Sequence, residues 1–332
     1  MHEQTIYFGA PGTGKSRFVK DHLASVPHKN VFRVTIYPEF SYSDFVGQLL
    51  PKPSATTGVD FVFHEGPFVQ ALKQAFVDNS QDVYLVLEEI SRGNIAAIFG
   101  DLFQLLDRDQ YFVSEFPIRN KDISDRIPQL KEGAEVYLPA NFNIICTVNT
   151  SDQGVFPMDT AFKRRFDWVY MSTEPAKKEG TDKYDGALNN PVVRIRGEGG
   201  AVIETNWLSL YWSLNKFITD KVNGLGQKED KQLGQFFIKF PENLAKDTHS
   251  TNPSIAAKAL ARVDAILKNK LLIYLWQDVQ PSVTFGNAKE LFAPTVVDFN
   301  SLYFGFETSQ IFSNDFITGF LIPNKDKYAF SN

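Results

Sequence analysis

The chain holds one cysteine, Cys146, in 332 residues. A lone thiol cannot close an internal disulfide, and no Cys or His cluster surrounds it, so a disulfide-stapled scaffold and a structural zinc site are both excluded. A reducing cytosol fits such usage best. Long hydrophobic runs are missing too: no window offers about 18 consecutive apolar residues, which leaves no membrane-spanning candidate. The opening MHEQTIYFGAPGTGKS has neither the basic region nor the apolar core of a signal peptide. Nor is there a dominant sign of charge. Lys and Arg number 34 against 39 Asp and Glu, for a net charge of −5. No global field therefore draws the chain onto polyanions, and any DNA contact must be local or made by a partner. With 43% hydrophobic and 14% aromatic residues the composition excludes disorder. No repeat recurs at a fixed period, and the length suits one large or two ordinary domains.

Five short runs rich in β-branched and aromatic residues predict buried strands: Gln4 to Gly9, Val31 to Tyr37, Val83 to Glu88, Phe142 to Asn149 and Phe166 to Met171. Helical stretches lie between them, at Ser16 to Ala24, Phe68 to Asp78 and Ile95 to Leu106. Alternating strands and helices predict an α/β fold, a five-stranded parallel sheet with helices on both faces. From Ser172 to Gly200 apolar residues thin out among Lys, Glu, Gly, Asn and Pro, which predicts a linker or exposed loop. Helical apolar spacing returns at Trp207 to Val222 and Ile255 to Trp276, so a second, mostly helical domain follows. The expected division is a nucleotide-binding core over 1–172, a linker over 173–204 and a helical lid with a C-terminal segment over 205–332. After Ser282 the apolar runs are short and without clear period, compatible with a small sheet or a meander.

Gly9-Ala10-Pro11-Gly12-Thr13-Gly14-Lys15-Ser16 fits G-x-x-x-x-G-K-[ST]. Its glycines let backbone N–H groups curl around phosphate oxygens, and the following helix adds its positive end. Lys15 is placed to neutralise β/γ-phosphate charge and Ser16 to ligate Mg²⁺. The bare pattern arises by chance in roughly one chain in a hundred of this length, and the flanking strand and helix reduce that further.

Val83 to Glu89 is an apolar strand ending in two carboxylates, where P-loop enzymes place the Mg²⁺-facing acid and the residue that polarises the attacking water. Glu88 takes the first place, where Asp is usual, and Glu89 is the candidate base. Phe142 to Asn149 is apolar until its last residue, and an Asn at a strand's carboxyl end can hold a water against the γ-phosphate. Asp152 either caps the next segment or orients a neighbour. Lys163, Arg164 and Arg165 put three cations just before the fifth strand. Guanidinium groups stabilise the charge of phosphoryl transfer, and one donated across a subunit boundary couples turnover to assembly.

Together these motifs resemble AAA+ ATPases, and within them the McrB-like motor subunits of methylation-dependent restriction systems. The resemblance rests on Gly9 to Ser16, Phe40 to Gly47 with Pro51, Gly66-Pro67-Phe68, Glu88 to Asn94, Val148 to Asp152 and Ala161 to Phe166. In the helical part it rests on Asp230 to Phe237, similar to a second sensor region with Gly234 near the nucleotide, and on Leu271 to Leu275 with Asp278. It implies an AAA+ P-loop core followed by a helical lid. Asn149 becomes the first sensor, Asp152 part of the segment that positions water, Arg164 and Arg165 the trans-acting finger candidates, and Arg92 and Asn94 interface residues. Three departures stand out: Glu88 for Asp, Gln153 where Arg commonly follows Asp152, and Gln235 where His is common.

The resemblance further implies a cytoplasmic, Mg²⁺-dependent NTPase, GTP being favoured and ATP an alternative. A hexameric ring, an McrC-like nuclease subunit and DNA met through that partner or a pore follow as expected partners. No segment ahead of the phosphate loop is long enough to read DNA, so recognition of modified DNA is expected in another polypeptide or a missing segment. A MoxR-like chaperone and a non-hydrolysing nucleotide switch are the alternatives; the intact Glu89, Asn149 and arginines speak against the switch.

Overall fold

The computed structural model describes residues 2–54, 58–130, 134–150, 156–178, 180–280 and 289–330. The chain forms two compact units, one of Met1–Phe8 with Lys15–Tyr170 and one of Gly9–Gly14 with Met171–Asn332.

In chain order the first unit runs β1 (Gln4–Gly9), α1 (Lys15–His22), β2 (Val31–Thr35), α2 (Tyr42–Phe45), β3 (Gly47–Ser54), β4 (Gly58–Glu65) and α3 (Pro67–Val77). It continues with β5 (Val83–Glu88), α4 (Ile95–Phe99), α5 (Lys121–Ser124), β6 (Phe142–Asn149), α6 (Thr160–Lys163) and β7 (Asp167–Tyr170). Five strands make one sheet in the order β2-β5-β6-β1-β7. The pairs β1/β7, β2/β5 and β5/β6 are parallel. Every residue of β5 is buried, as is β6 except at Asn149, the near-continuous apolar run expected of strands covered on both faces. Helix α3 starts with Pro67 at its first position and buries Phe68, Val69, Leu72 and Phe76 against β2, β5 and β6.

Two features of this unit differ from expectation. The helix expected over Ile95 to Leu106 breaks at Gly100 (φ 50°, ψ −123°), where α4 gives way to a 3₁₀ turn over Gly100–Leu106. A β-carbon at Gly100 would stand 3.0 Å from the Tyr42 ring, so the tight turn needs glycine. The antiparallel ribbon of β3 and β4 was not expected at all. Its Pro51 and Pro53 argue against a strand, but two residues apart they turn their missing donors to the same open edge.

The second unit pairs β8 (Val192–Arg196) with β9 (Val202–Asn206) in antiparallel fashion. It continues with α7 (Trp207–Thr219), α8 (Leu244–Thr248) and α9 (Pro253–Tyr274). Trp207, Tyr211, Phe217, Leu267, Phe312 and Phe316 are fully buried in its core. The linker expected over 173–204 is corrected here: β8 and most of β9 occupy its second half. Val193 and Ile195 point inward while Arg194 and Arg196 stay partly open. That alternation is too short to stand out in a polar stretch. In the tail, among described residues 289–330, short helices at Phe299–Gly305, Asn314–Phe316 and Ile322–Asn324 stand where a small sheet or a meander is expected. Asp298 and Ser313 cap the first two. One isolated bridge, Phe292 to Phe312, is the β pairing found there. No helix among the described residues is long and apolar enough to cross a membrane.

Candidate active site

The phosphate loop leaves β1 at Gly9 and enters α1 at Lys15, the strand-to-helix setting its sequence calls for. Gly9, Gly12 and Gly14 carry φ of 154°, 79° and 90°, values that L side chains rarely adopt. The Thr13 hydroxyl donates to the Ala10 carbonyl at 3.1 Å, closing the turn. Two loop carbonyls are taken by one segment of the second unit: Gly234 N–H donates to Pro11 O and Phe236 N–H to Gly12 O, both at 2.8 Å. The approach is close enough that a β-carbon on Gly234 would lie 2.2 Å from the Gly12 carbonyl carbon. Gly234 is thus a packing glycine against the loop. Gln235 beside it is buried, accepting from Ala176 N–H at 2.8 Å and donating to Leu188 O at 2.6 Å, so its amide is spent on the second unit's own backbone.

In the first unit the side chains that close β5 and β6 form one hydrogen-bonded chain. Lys15 and Glu88 are both buried. Glu88 Oε2 accepts from Ser16 Oγ at 2.8 Å and from Thr147 Oγ1 at 2.7 Å, while Oε1 accepts from Arg33 Nη1 at 2.5 Å. Glu89 has left-handed backbone angles (φ 56°, ψ 42°), uncommon for a residue with a side chain. Its N–H donates to Thr147 Oγ1 at 3.2 Å, so this hydroxyl joins the two acids. Glu89 Oε1 accepts from Asn149 Nδ2 at 2.6 Å, and Arg92 Nε lies 3.6 Å from Oε2. Such a backbone conformation persists only where its surroundings fix it, and Glu89 is held from several sides. Cys146, in β6, is buried, which pushes its thiol up, and the Glu88 charge adds to that.

The arginine pair separates. Arg165 is nine-tenths buried, with Nη2 2.5 Å from Asp107 Oδ2, Nη1 donating to Ala161 O at 2.7 Å and the guanidinium 4.5 Å above the Phe103 ring. Arg164 is 65% exposed and only 3.9 Å from Asp107. Asn94 caps α4 through Ala97 N–H at 3.2 Å. Asp152 and Gln153 lie outside the described residues.

Sequence reasoning missed Arg33 and Thr147. The available signal is the one charge in the otherwise uncharged β2, the edge strand beside β5, where Arg33 is exposed yet reaches the buried Glu88. Thr147 precedes Asn149 by two and so shares its face of β6.

Ser16 Oγ and Glu88 Oε2 are hard oxygen donors held together at a helix start, which suits Mg²⁺, an ion bound through one or two carboxylates with water and phosphate completing its shell. No group of three or more His, Cys, Asp or Glu side chains suited to a metal cage occurs among the described residues.

Residues 4–166 match the AAA domain of the dynein-related subfamily. The type II restriction enzyme BsuMI component YdiS of Bacillus subtilis is 32% identical over 313 residues, covering 85% of this chain and 82% of its own length. The type IV methyl-directed restriction enzyme EcoKMcrB subunit of Escherichia coli is 28% identical over 175 residues, 51% of this chain and 35% of that protein. By these matches this chain belongs to the McrB-like branch of the AAA+ ATPase family.

Proposed function

We propose that the chain hydrolyses an Mg²⁺-bound nucleoside triphosphate, GTP or ATP, as one subunit of a ring whose turnover moves DNA or activates a partner endonuclease in restriction. The observation that carries the reading is the continuous network from Ser16 through Glu88, Thr147 and Glu89 to Asn149. Mg²⁺, when bound, would neutralise the charge that develops on the phosphate oxygens. The loop glycines and Lys15 would hold the phosphates, and Ser16 and Glu88 would hold the ion. Glu89 takes the proton of the attacking water. Asn149 donates to one of its carboxylate oxygens and fixes the direction of the other. Of the two finger candidates, Arg164 is free to reach a neighbouring subunit, whereas Arg165 is engaged inside its own. The restriction-enzyme relatives support a nuclease partner of the McrC kind, and the family resemblance supports a GTP preference and a hexameric ring.

The test is Glu89→Gln, assayed with GTP and ATP, with and without the nuclease partner and DNA. Nucleotide binding should survive while turnover falls by about 10²–10⁴-fold, the usual worth of a general base. Turnover within tenfold of wild type refutes the assignment of the base. Equal use of GTP and ATP removes the guanine preference while leaving hydrolysis standing.

A further inference from the structure

Position 88 carries a carboxylate one methylene longer than the aspartate usual there, and β2 carries an arginine in an otherwise uncharged strand. Strand register brings the two together. Arg33 pairs with Val86 and Thr35 with Glu88, so Arg33 lies on the same face as Glu88, two residues back along the neighbouring strand. From there its side chain runs diagonally to Glu88 Oε1 at 2.5 Å. Oε2, the other oxygen, is shared by Ser16 and Thr147. The carboxylate is thus divided, one oxygen toward the guanidinium and one toward the hydroxyl of the phosphate-loop serine. Only the longer side chain spans both. An aspartate reaches about 1.5 Å less far, so meeting Arg33 would take it away from Ser16, and meeting Ser16 would leave the guanidinium without its carboxylate.

We propose that Arg33 is the positioning residue that makes glutamate, rather than aspartate, the working metal-facing acid of this chain. The proposal rests on the metal role assigned above to Ser16 and Glu88. Arg33 acts through Glu88, by holding Oε1 so that Oε2 presents a fixed direction to Ser16. Charge acts the other way, since a guanidinium on the far oxygen opposes a divalent ion and its removal alone favours that ion. The comparison must therefore cancel the charge term, which a double-mutant design does because the same cation is lost with either acid.

The experiment measures the Mg²⁺ concentration that half-saturates the affinity for mant-GTP and mant-ATP, alongside kcat. The variants are Glu88→Asp and Glu88→Gln in the wild-type background and Glu88→Asp in an Arg33→Met background. Glu88→Asp should raise half-saturating Mg²⁺ about tenfold when Arg33 is present, the usual cost of a misdirected outer-shell group. In Arg33→Met the same swap should change it by less than about twofold. An equal cost in both backgrounds overturns the proposal, and a residue that merely stabilised the sheet would give that result with a lowered Tm. Glu88→Gln separates the two readings: unchanged Mg²⁺ dependence there sinks the metal role of Glu88 whatever Arg33 does, while a large effect there with no background dependence sinks only the role of Arg33. If Arg33→Met does not fold, Arg33→Gln carries the same comparison with the same outcomes.

Discussion

Gly234→Ala adds one carbon where the second unit has no room for it. The new β-carbon would lie 2.2 Å from Gly12 C and Thr13 N and 2.3 Å from Gly12 O, all backbone atoms that cannot swing aside. Restoring an ordinary contact of 3.4 Å from 2.2 Å means that the two backbones must part by roughly 1 Å. Both 2.8 Å bonds, Gly234 N–H to Pro11 O and Phe236 N–H to Gly12 O, lie across that gap and would be lost. At about 0.5–1.5 kcal/mol each they contribute about 1–3 kcal/mol. For a unit of about 170 residues, a loss near 2 kcal/mol lowers Tm by about 4–8 °C. If the strain falls on the phosphate-binding conformation of the loop, the same energy weakens nucleotide binding about 30-fold. Thermal melts with and without nucleotide, and mant-nucleotide titration, measure the two parts. Gly319→Ala is the control, since nothing stands within 4 Å of its new carbon, and it should be neutral or slightly stabilising. A Gly234→Ala protein as stable as Gly319→Ala and equally tight for nucleotide would refute the claim that this glycine locks the loop.

The two arginines should part company on mutation. Arg165→Ala breaks a buried ion pair with Asp107 and the stacking on Phe103, and should cost about 2–4 kcal/mol in chemical denaturation. Arg164→Ala should stay within about 0.5 kcal/mol of wild type yet lose about 10³-fold in turnover in the assembled state. A normal rate in Arg164→Ala and in the double variant ends the finger proposal, and so does a rate per subunit that stays flat as the protein is diluted out of its oligomer. His2 supplies a pH test. Burial first, then the Arg108 charge, hold it down to about 4 from 6.5, and it stacks on Phe112 at 5.0 Å. Between those values the unfolded chain binds the extra proton, so this contribution to stability is complete above pH 6.5 and is lost as pH falls toward 4. His2→Phe keeps the stacking and removes the proton, and its Tm should fall less over that interval; identical acid slopes would exclude His2 as a source.

What the sequence displays and what it hides divide along one physical line. β5 and β6 are legible because a buried parallel strand is a continuous apolar run, and each announces its chemistry by ending on a polar residue, Glu88 and Asn149. The β3–β4 ribbon and β8 are not, because an exposed ribbon with two prolines and a pair of inward residues in a polar stretch leave no comparable pattern. The same line runs through the site. Glu88, Glu89 and Asn149 are seen because the phosphate loop supplies their context, whereas Arg33 and Thr147 join them only across strands, and register is not written along the chain. Taken singly, Glu88 is a carboxylate one carbon too long for its place and Arg33 is a cation in a sheet. The 2.5 Å contact between them turns two local irregularities into one arrangement, in which each supplies what the other lacks. A departure from a motif therefore carries information once the neighbouring strand's register is known: it points to the residue that makes the departure workable, and Thr147, bonded to both acids, extends the same network to Glu89.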